Sequence, residues 1–275
     1  MDKRSVKLKK LKEILKGLES VVVAYSGGLD STFLLKVALD TLGRGRVLAV
    51  TARSETYPES EYRCAVRMAK ELKARHETID TKELEIKNFR KNPVNRCYYC
   101  KSELFRRLKE MARDNGIKHV VDGANHDDLK DIRYGMKAAR ELGVRSPLLE
   151  AGIGKALIRR SSYSLGLATW SKPSFACLAS RIPFGRKIDE TTLVRVGRAE
   201  EYIRRLGLGQ VRLRVHKNVA RMEVDLSDFG RVIKSKRQIV KFLKGLGFTY
   251  ITLDLEGYRT GSMNEPLMVV KAPRL

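Results

Sequence analysis

Apolar and polar positions along the chain fall into two regimes. From Ser20 to about residue 165, short apolar runs alternate with stretches of helical spacing. Val21 to Tyr25 is nearly unbroken and rich in β-branched residues, the pattern of a strand buried on both faces of a parallel sheet. Residues 46–53, 77–80 and 119–125 read as further strands, the last ending in a polar turn. Helical spacing covers 6–18, 32–42 and 58–74, and a loop over 88–100 leads into a helix at about Lys101. The alternation predicts an α/β domain built on a doubly wound parallel sheet. From about Ile188 the pattern changes: a helix over 191–206, a strictly alternating hairpin over 211–224, one helix over 227–246 with Ser227 as its cap, and a long strand over 248–255. That is a smaller C-terminal α+β domain, and the chain divides into residues 1–185 and 186–275.

The hairpin pattern also predicts a register. With the turn at Lys217-Asn218, Val211 faces Val224, Leu213 faces Met222 and Val215 faces Ala220. On the other face Arg212 meets Glu223 and Arg214 meets Arg221. Two arginines directly opposite repel unless an anion lies between them. A bound phosphate answers that pairing; so do two solvated side chains splayed apart.

The chain has 275 residues and a formal charge of +24, with 56 Lys and Arg against 32 Asp and Glu. Such an excess fits an anionic partner, whether nucleotide, phosphate ester or RNA; adaptation to high temperature is the bland alternative. No apolar run is long enough to span a membrane. The basic N-terminal stretch lacks the apolar core of a signal peptide, so a cytoplasmic protein is expected, one in which a disulfide framework is disfavoured.

Candidate chemistry gathers at the ends of the predicted strands. Ser26-Gly27-Gly28-Leu29-Asp30-Ser31 joins the first strand to a helix. Glycines let a ligand approach the backbone, the helix N-terminus attracts phosphate, and Ser26 and Ser31 add hydroxyl donors. Asp30 belongs beside phosphates only if a divalent cation sits between them. No Walker loop occurs; the segment resembles the pyrophosphate (PP) loop of ATP pyrophosphatases, although a glycine-rich turn alone has the same look. Asp122, Gly123 and Asn125 fall at another strand end, where α/β sheets bind ligands. Of the four cysteines, Cys64 has the helical spacing of a packed apolar residue, with Met68 and Leu72. Cys97 and Cys100 have a spacing open to zinc, an iron–sulfur cluster or redox use, and Cys177 is the remaining candidate ligand. Three thiolates on a cluster would leave one iron open to an extra sulfide.

Several stretches together resemble the LarE family of ATP-dependent sulfur transferases. They are the loop at 26–31, Asn95 to Lys101 around the cysteine pair, Asp122 to Asp128, Arg145 to Leu148, Cys177 to Pro183, and Leu253 to Met263. The resemblance implies the PP-loop ATP pyrophosphatase fold over 1–185 and a substrate-binding and oligomerisation domain over 186–275. It implies an enzyme that uses ATP and Mg2+ to adenylate a carboxylate of pyridinium biscarboxylic acid mononucleotide and convert it to a thiocarboxylate, on the way to the nickel-pincer nucleotide. Some members sacrifice the sulfur of the cysteine matching Cys177; in others three cysteines, here Cys97, Cys100 and Cys177, hold a 4Fe-4S cluster carrying an additional sulfide. Having both features, this chain resembles the cluster-dependent branch. By the same resemblance Asp30, Cys177 and Arg181 are catalytic, and Ser26, Gly27, Gly28, Asp30, Ser31, Asp122, Gly123 and Asn125 bind the nucleotide. Ser180, Arg212, Arg214 and Arg259 take the substrate phosphate. Glu200 and Glu223 ligate a divalent cation, with Asp225 or Asp228 completing the acidic site. The partners implied are a phosphorylated small molecule, a sulfide or other sulfur donor, and further copies of the chain, with no membrane. A tRNA-thiolating relative is the nearest rival, but no separate RNA-binding module is evident.

Overall fold

A computed structural model describes residues 3–130, 134–173, 175–259 and 261–265. Thr260, inside the stretch from Leu253 to Met263, lies outside the described residues. The chain divides into two compact units, residues 1–89 with 95–175, and residues 90–94 with 176–275. The break falls at 175/176 where the sequence pattern places it at 185/186. Residues 90–94 hydrogen-bond to 182–188: Asn92 Nδ2 donates to Ile182 O and Pro183 O at 3.2 and 2.9 Å. Gly185 N donates to Asn92 O and Ile188 N to Arg90 O, both at 2.9 Å.

The first unit runs α1 (Lys3–Leu18), β1 (Val21–Ala24), α2 (Leu29–Leu42), β2 (Val47–Arg53), α3 (Glu59–Glu71), β3 (Arg75–Asp80), α4 (Lys87–Arg90, at the unit boundary), α5 (Arg96–Asp114), β4 (His119–Val121), α6 (Tyr134–Glu141), α7 (Pro147–Glu150) and α8 (Lys155–Ser164). Its four strands are parallel in the order β3-β2-β1-β4. The β-branched run of β1 explains its central place. Val21 and Val23 pack on one face with residues of α1, α2, α3 and α8, and Val22 packs on the other with α5 and α6. In β2, Val47 and Ala49 go to the first face and Leu48 and Val50 to the second. With β2 on one side of β1 and β4 on the other, the chain reverses direction across the sheet at β1/β4. The carboxyl ends of those two strands are where such sheets leave a crevice. β4 is three residues long, shorter than its pattern predicts, and its backbone is continued by a parallel bridge from Val121 to Arg145.

The second unit contains α9 (Glu190–Arg205), β5 (Val211–His216), β6 (Val219–Val224), α10 (Phe229–Lys234), α11 (Lys236–Gly245) and β7 (Tyr250–Leu253). Asp189 caps α9, its carboxylate accepting from Thr192 N at 2.8 Å. β5 and β6 pair antiparallel in the predicted register, residue for residue, and β7 adds parallel to β6. Two expectations need correction. The single helix over 227–246 is two, because Ser235 leaves helical geometry (φ −91°, ψ 6°); Asp228, not Ser227, takes the N-cap position of α10. The long strand over 248–255 is four residues, since Asp254 enters a turn whose carbonyl accepts from Gly257 N at 3.0 Å.

Candidate active site

The loop after β1 is bent by Gly27, whose φ is +59°. A Cβ there would lie 2.6 Å from Ala65 Cα on α3, so glycine is required both by conformation and by space. Ser26 and Ser31 hydroxyls lie 3.1 Å apart, and Ser31 Oγ accepts from Ser26 N at 3.3 Å. Each loop carbonyl is tied down: Ser26 O by Tyr57 Oη at 2.7 Å, Gly27 O by Lys172 Nζ at 3.1 Å, and Gly28 O by Thr32 N at 3.0 Å. Burial, then the charge of Glu61, raises the Tyr57 pKa, so this phenol keeps its proton and donates. Asp30 sits in the first turn of α2, where a carboxylate is favoured by the helix dipole. Gly27→Ala is expected to cut nucleotide affinity at least tenfold, through collision and φ strain together; an unchanged affinity by calorimetric titration would show that the bend is not needed.

The turn after β4 abuts the same helix start. A Cβ on Gly123 would lie 3.1 Å from Ser31 N, so this second glycine allows backbone to meet backbone. Asp122 Oδ1 accepts from Ser146 Oγ at 2.7 Å, and burial raises its carboxyl above the ordinary range. Asn125 is fully buried; its Oδ1 accepts from Asp127 N at 3.0 Å, while Nδ2 has no hydrogen-bond partner among the described residues. Nucleotide-site expectations at 26–31 and 122–125 therefore converge on adjacent strand ends.

The cysteine pair is not in a loop. α5 begins at Arg96, just after Asn95 at the N-cap position, so Cys97 and Cys100 share its first turn. A helix N-terminus favours thiolates over thiols. Cys100 Sγ lies 3.8 Å from Glu83 Oε1, a carboxyl raised in pKa by burial. Cys97 is exposed, and neither it nor Cys100 or Cys177 is in a disulfide. Cys64, read as a packed apolar residue, does pack against the first unit's core, and its sulfur also accepts from Lys172 Nζ at 3.4 Å. Cys177 belongs to the second unit, where its carbonyl accepts from Ser180 N and Arg181 Nη1 at 3.0 and 3.1 Å. Among the described residues, no three His, Cys, Asp or Glu side chains are grouped to hold a metal ion.

The second unit buries a chain of charges. Arg181 and Glu200 are both fully buried and joined by two bonds of 2.8 and 3.0 Å. Glu200 also accepts from Arg204 at 2.6 Å and from Leu213 N at 3.0 Å. Burial raises the Glu200 pKa, but Arg181, Arg204 and the Leu213 amide together hold it below the usual range. Ser180 supplies both its oxygens: Oγ accepts from Arg181 Nη1 at 2.8 Å and the carbonyl from Arg214 Nη1 at 2.9 Å. Arg214 and Arg221 do lie opposite each other, and the anion between them is the chain's own Glu223, not a phosphate. Arg214 reaches Glu223 Oε2 at 2.9 Å and Arg221 reaches Oε1 at 3.0 Å, with Ser262 Oγ donating to the same carboxylate. Glu200 and Glu223, expected at a divalent cation, are thus each held by two arginines. Asp228 pairs with Arg231 at 2.8 Å, and Asp225 is exposed. Arg259 is paired with Asp254, Glu256 and Glu265 at 3.5, 3.0 and 3.1 Å, which raises its pKa. Arg212 lies over the ring of Tyr258 at 5.3 Å; with the Gln210 amide oxygen turned toward it, that oxygen accepts at 2.9 Å. Burial, then the neighbouring Arg181 cation, pulls Arg212 down to about 10, still charged at neutral pH. The residues that sequence reasoning missed are Arg204, Arg221 as a partner of Glu223, and Ser262. Their signals were the four-residue spacing from Glu200 and the two-residue spacing that puts Arg221 and Glu223 on one strand face.

The family profile described as NAD synthase matches residues 5–115, which hold β1, β2, β3 and the loop at 26–31. The chain is 44% identical over 263 residues to an uncharacterized protein of Synechocystis sp., spanning 95% of this chain and 98% of that one. It is 39% identical over 253 residues to the pyridinium-3,5-bisthiocarboxylic acid mononucleotide synthase of Lactiplantibacillus plantarum, spanning 92% of each. An uncharacterized protein of Methanocaldococcus jannaschii is 32% identical over 259 residues, or 94% of this chain.

Proposed function

Since the chain belongs to the LarE family of ATP-dependent sulfur transferases, we propose that it turns a carboxylate of pyridinium biscarboxylic acid mononucleotide into a thiocarboxylate. The observation that carries this reading is the likeness to the L. plantarum synthase across almost the full length of both chains. Among the described residues no helix is long and apolar enough to cross a membrane.

The chemistry has two displacements. A carboxylate oxygen attacks the α-phosphorus of ATP, and the bond to pyrophosphate breaks. A sulfide equivalent then attacks the acyl carbon, and the bond to AMP breaks; adenylation is needed because oxide is a poor leaving group. The loop at 26–31 offers amides and two hydroxyls to the β- and γ-phosphates, and Asp30 recruits Mg2+. Asp122, Gly123 and Asn125 shape the adjoining pocket, with the buried Asn125 Nδ2 as a donor for the nucleotide. In the second unit Arg212, a buried guanidinium on the strand that also carries Arg214, is the anchor for the substrate phosphate. Arg214, Ser180 and Arg181 hold the strand and turn around it, which fixes where the carboxylate lies.

The chemistry of the donors suits iron and sulfide: Cys97 and Cys100 are thiols near the start of one helix of the first unit, and Cys177 is a thiol of the second. Cys97, Cys100 and Cys177 would hold a 4Fe-4S cluster that, when bound, supplies an additional sulfide. Protein purified without oxygen is expected to carry iron and acid-labile sulfide, and Cys97→Ser to lose most of both, while Cys64→Ala keeps them. Full iron retention in Cys97→Ser would remove it from the ligand set. Iron-free protein whose mass falls at Cys177 after one turnover would make that cysteine the sulfur source. AMP release that depends on the mononucleotide supports the acceptor; release that depends only on tRNA overturns it.

A further inference from the structure

The pyrophosphate that leaves ATP carries several negative charges, yet Ser26 to Ser31 includes no lysine or arginine and contributes a carboxylate of its own. Lys36, on the same helix, is paired with Asp40 at 2.7 Å. A cation does reach the loop, from far along the chain. Lys172 Nζ donates to Gly27 O at 3.1 Å and pairs with Glu61 at 2.8 Å, with both side chains largely buried (17% and 19% exposed). Its third contact is Cys64 Sγ at 3.4 Å.

The segment that carries the lysine is itself tied down. Arg159 donates to Trp170 O and Lys172 O at 2.6 and 3.2 Å, and Lys172 N donates to Thr169 O at 3.0 Å. Phe175 packs edge-on against Tyr57 at 6.3 Å, and Tyr57 is the residue that ties down the preceding carbonyl, Ser26 O. Lys172 and Tyr57 therefore hold two successive carbonyls of one bend. A left-handed residue whose carbonyl is turned back leaves neighbouring amides converging on an anion.

Resting on the ATP-dependent reading above, we propose that Lys172 is a positioning residue for ATP cleavage. It fixes the Gly27 carbonyl and keeps the loop's amides aimed at the departing pyrophosphate. Glu61 holds the ammonium at the loop.

The test compares Lys172→Met and Lys172→Arg with the wild type by calorimetric titration of magnesium pyrophosphate and, separately, AMP, alongside kcat for AMP release. Removing a charged donor should weaken pyrophosphate binding about 10- to 100-fold and lower kcat, leaving AMP affinity within about twofold. Lys172→Arg should recover much of the loss, since the charge returns. Pyrophosphate affinity equal to the wild type in Lys172→Met overturns the proposal, as does an equal fall for AMP and pyrophosphate, the sign of a merely collapsed pocket. If Lys172→Met does not fold, Glu61→Gln serves: it frees the ammonium, and unaltered pyrophosphate binding and kcat there would overturn the proposal equally. Pyrophosphate titration does not use the acceptor. A wrong mononucleotide would therefore appear as absent wild-type AMP release with the pyrophosphate contrast intact.

Discussion

Asp30→Asn stops AMP release. The substitution keeps the shape of the side chain and removes its charge in the first turn of α2, beside Ser26, Gly27 and Gly28. If Asp30 recruits the divalent cation that bridges the β- and γ-phosphates, the cation is lost and the charge that develops on pyrophosphate goes unmet. Electrostatic stabilisation of this kind accounts for roughly a thousandfold in rate per site removed. The fall should appear in kcat for AMP formation, and raising Mg2+ should restore part of it. The fold should be intact, because an amide of the same shape replaces a half-buried carboxylate; near-wild-type thermal unfolding checks that. Turnover within tenfold of the wild type would mean that Asp30 does not hold the cation.

Glu200→Gln acts on stability before chemistry. Glu200 is fully buried and balances Arg181, also fully buried, and Arg204. An amide there removes the buried negative charge that balances Arg181 and Arg204, at a cost of about 3–5 kcal/mol. A shift of the chemical-denaturation midpoint checks this. The pH dependence has a definite sign. The folded pKa of Glu200 is lowered, so its contribution is complete above the unfolded glutamate pKa and drains away as pH falls through the folded value. The wild type should therefore lose stability in mild acid, and Glu200→Gln should lose less of it there. Equal acid sensitivity in the two proteins would assign the effect to other groups.

The hairpin shows how far the sequence could be read. Strict alternation from Val211 to Val224 has one register that puts every apolar residue on one face, and β5 and β6 adopt it. The same reasoning located two facing arginines but not their anion. Register says which residues are opposite; it does not say that Glu223, two positions along from Arg221, is long enough to lie between both. At the cysteine pair residues 88–100 read as a loop, whereas the helix begins at Arg96. Asn95, a common N-cap residue type, takes the N-cap position there without a side-chain cap bond. Lys172 was invisible for another reason. Its partners Gly27, Glu61 and Cys64 lie more than a hundred residues away in the chain, and only the folded first unit brings them together.

This chain exchanges carboxylate oxygen for sulfur on a pyridinium mononucleotide at the expense of ATP. The most direct measurement is mass spectrometry of that mononucleotide after anaerobic incubation with the protein, ATP, Mg2+ and sulfide. The expected product is a thiocarboxylate, with one oxygen replaced by sulfur, and one AMP and one pyrophosphate for each sulfur installed. An unmodified mononucleotide, in a reaction where the protein still splits ATP for another acceptor, would contradict it.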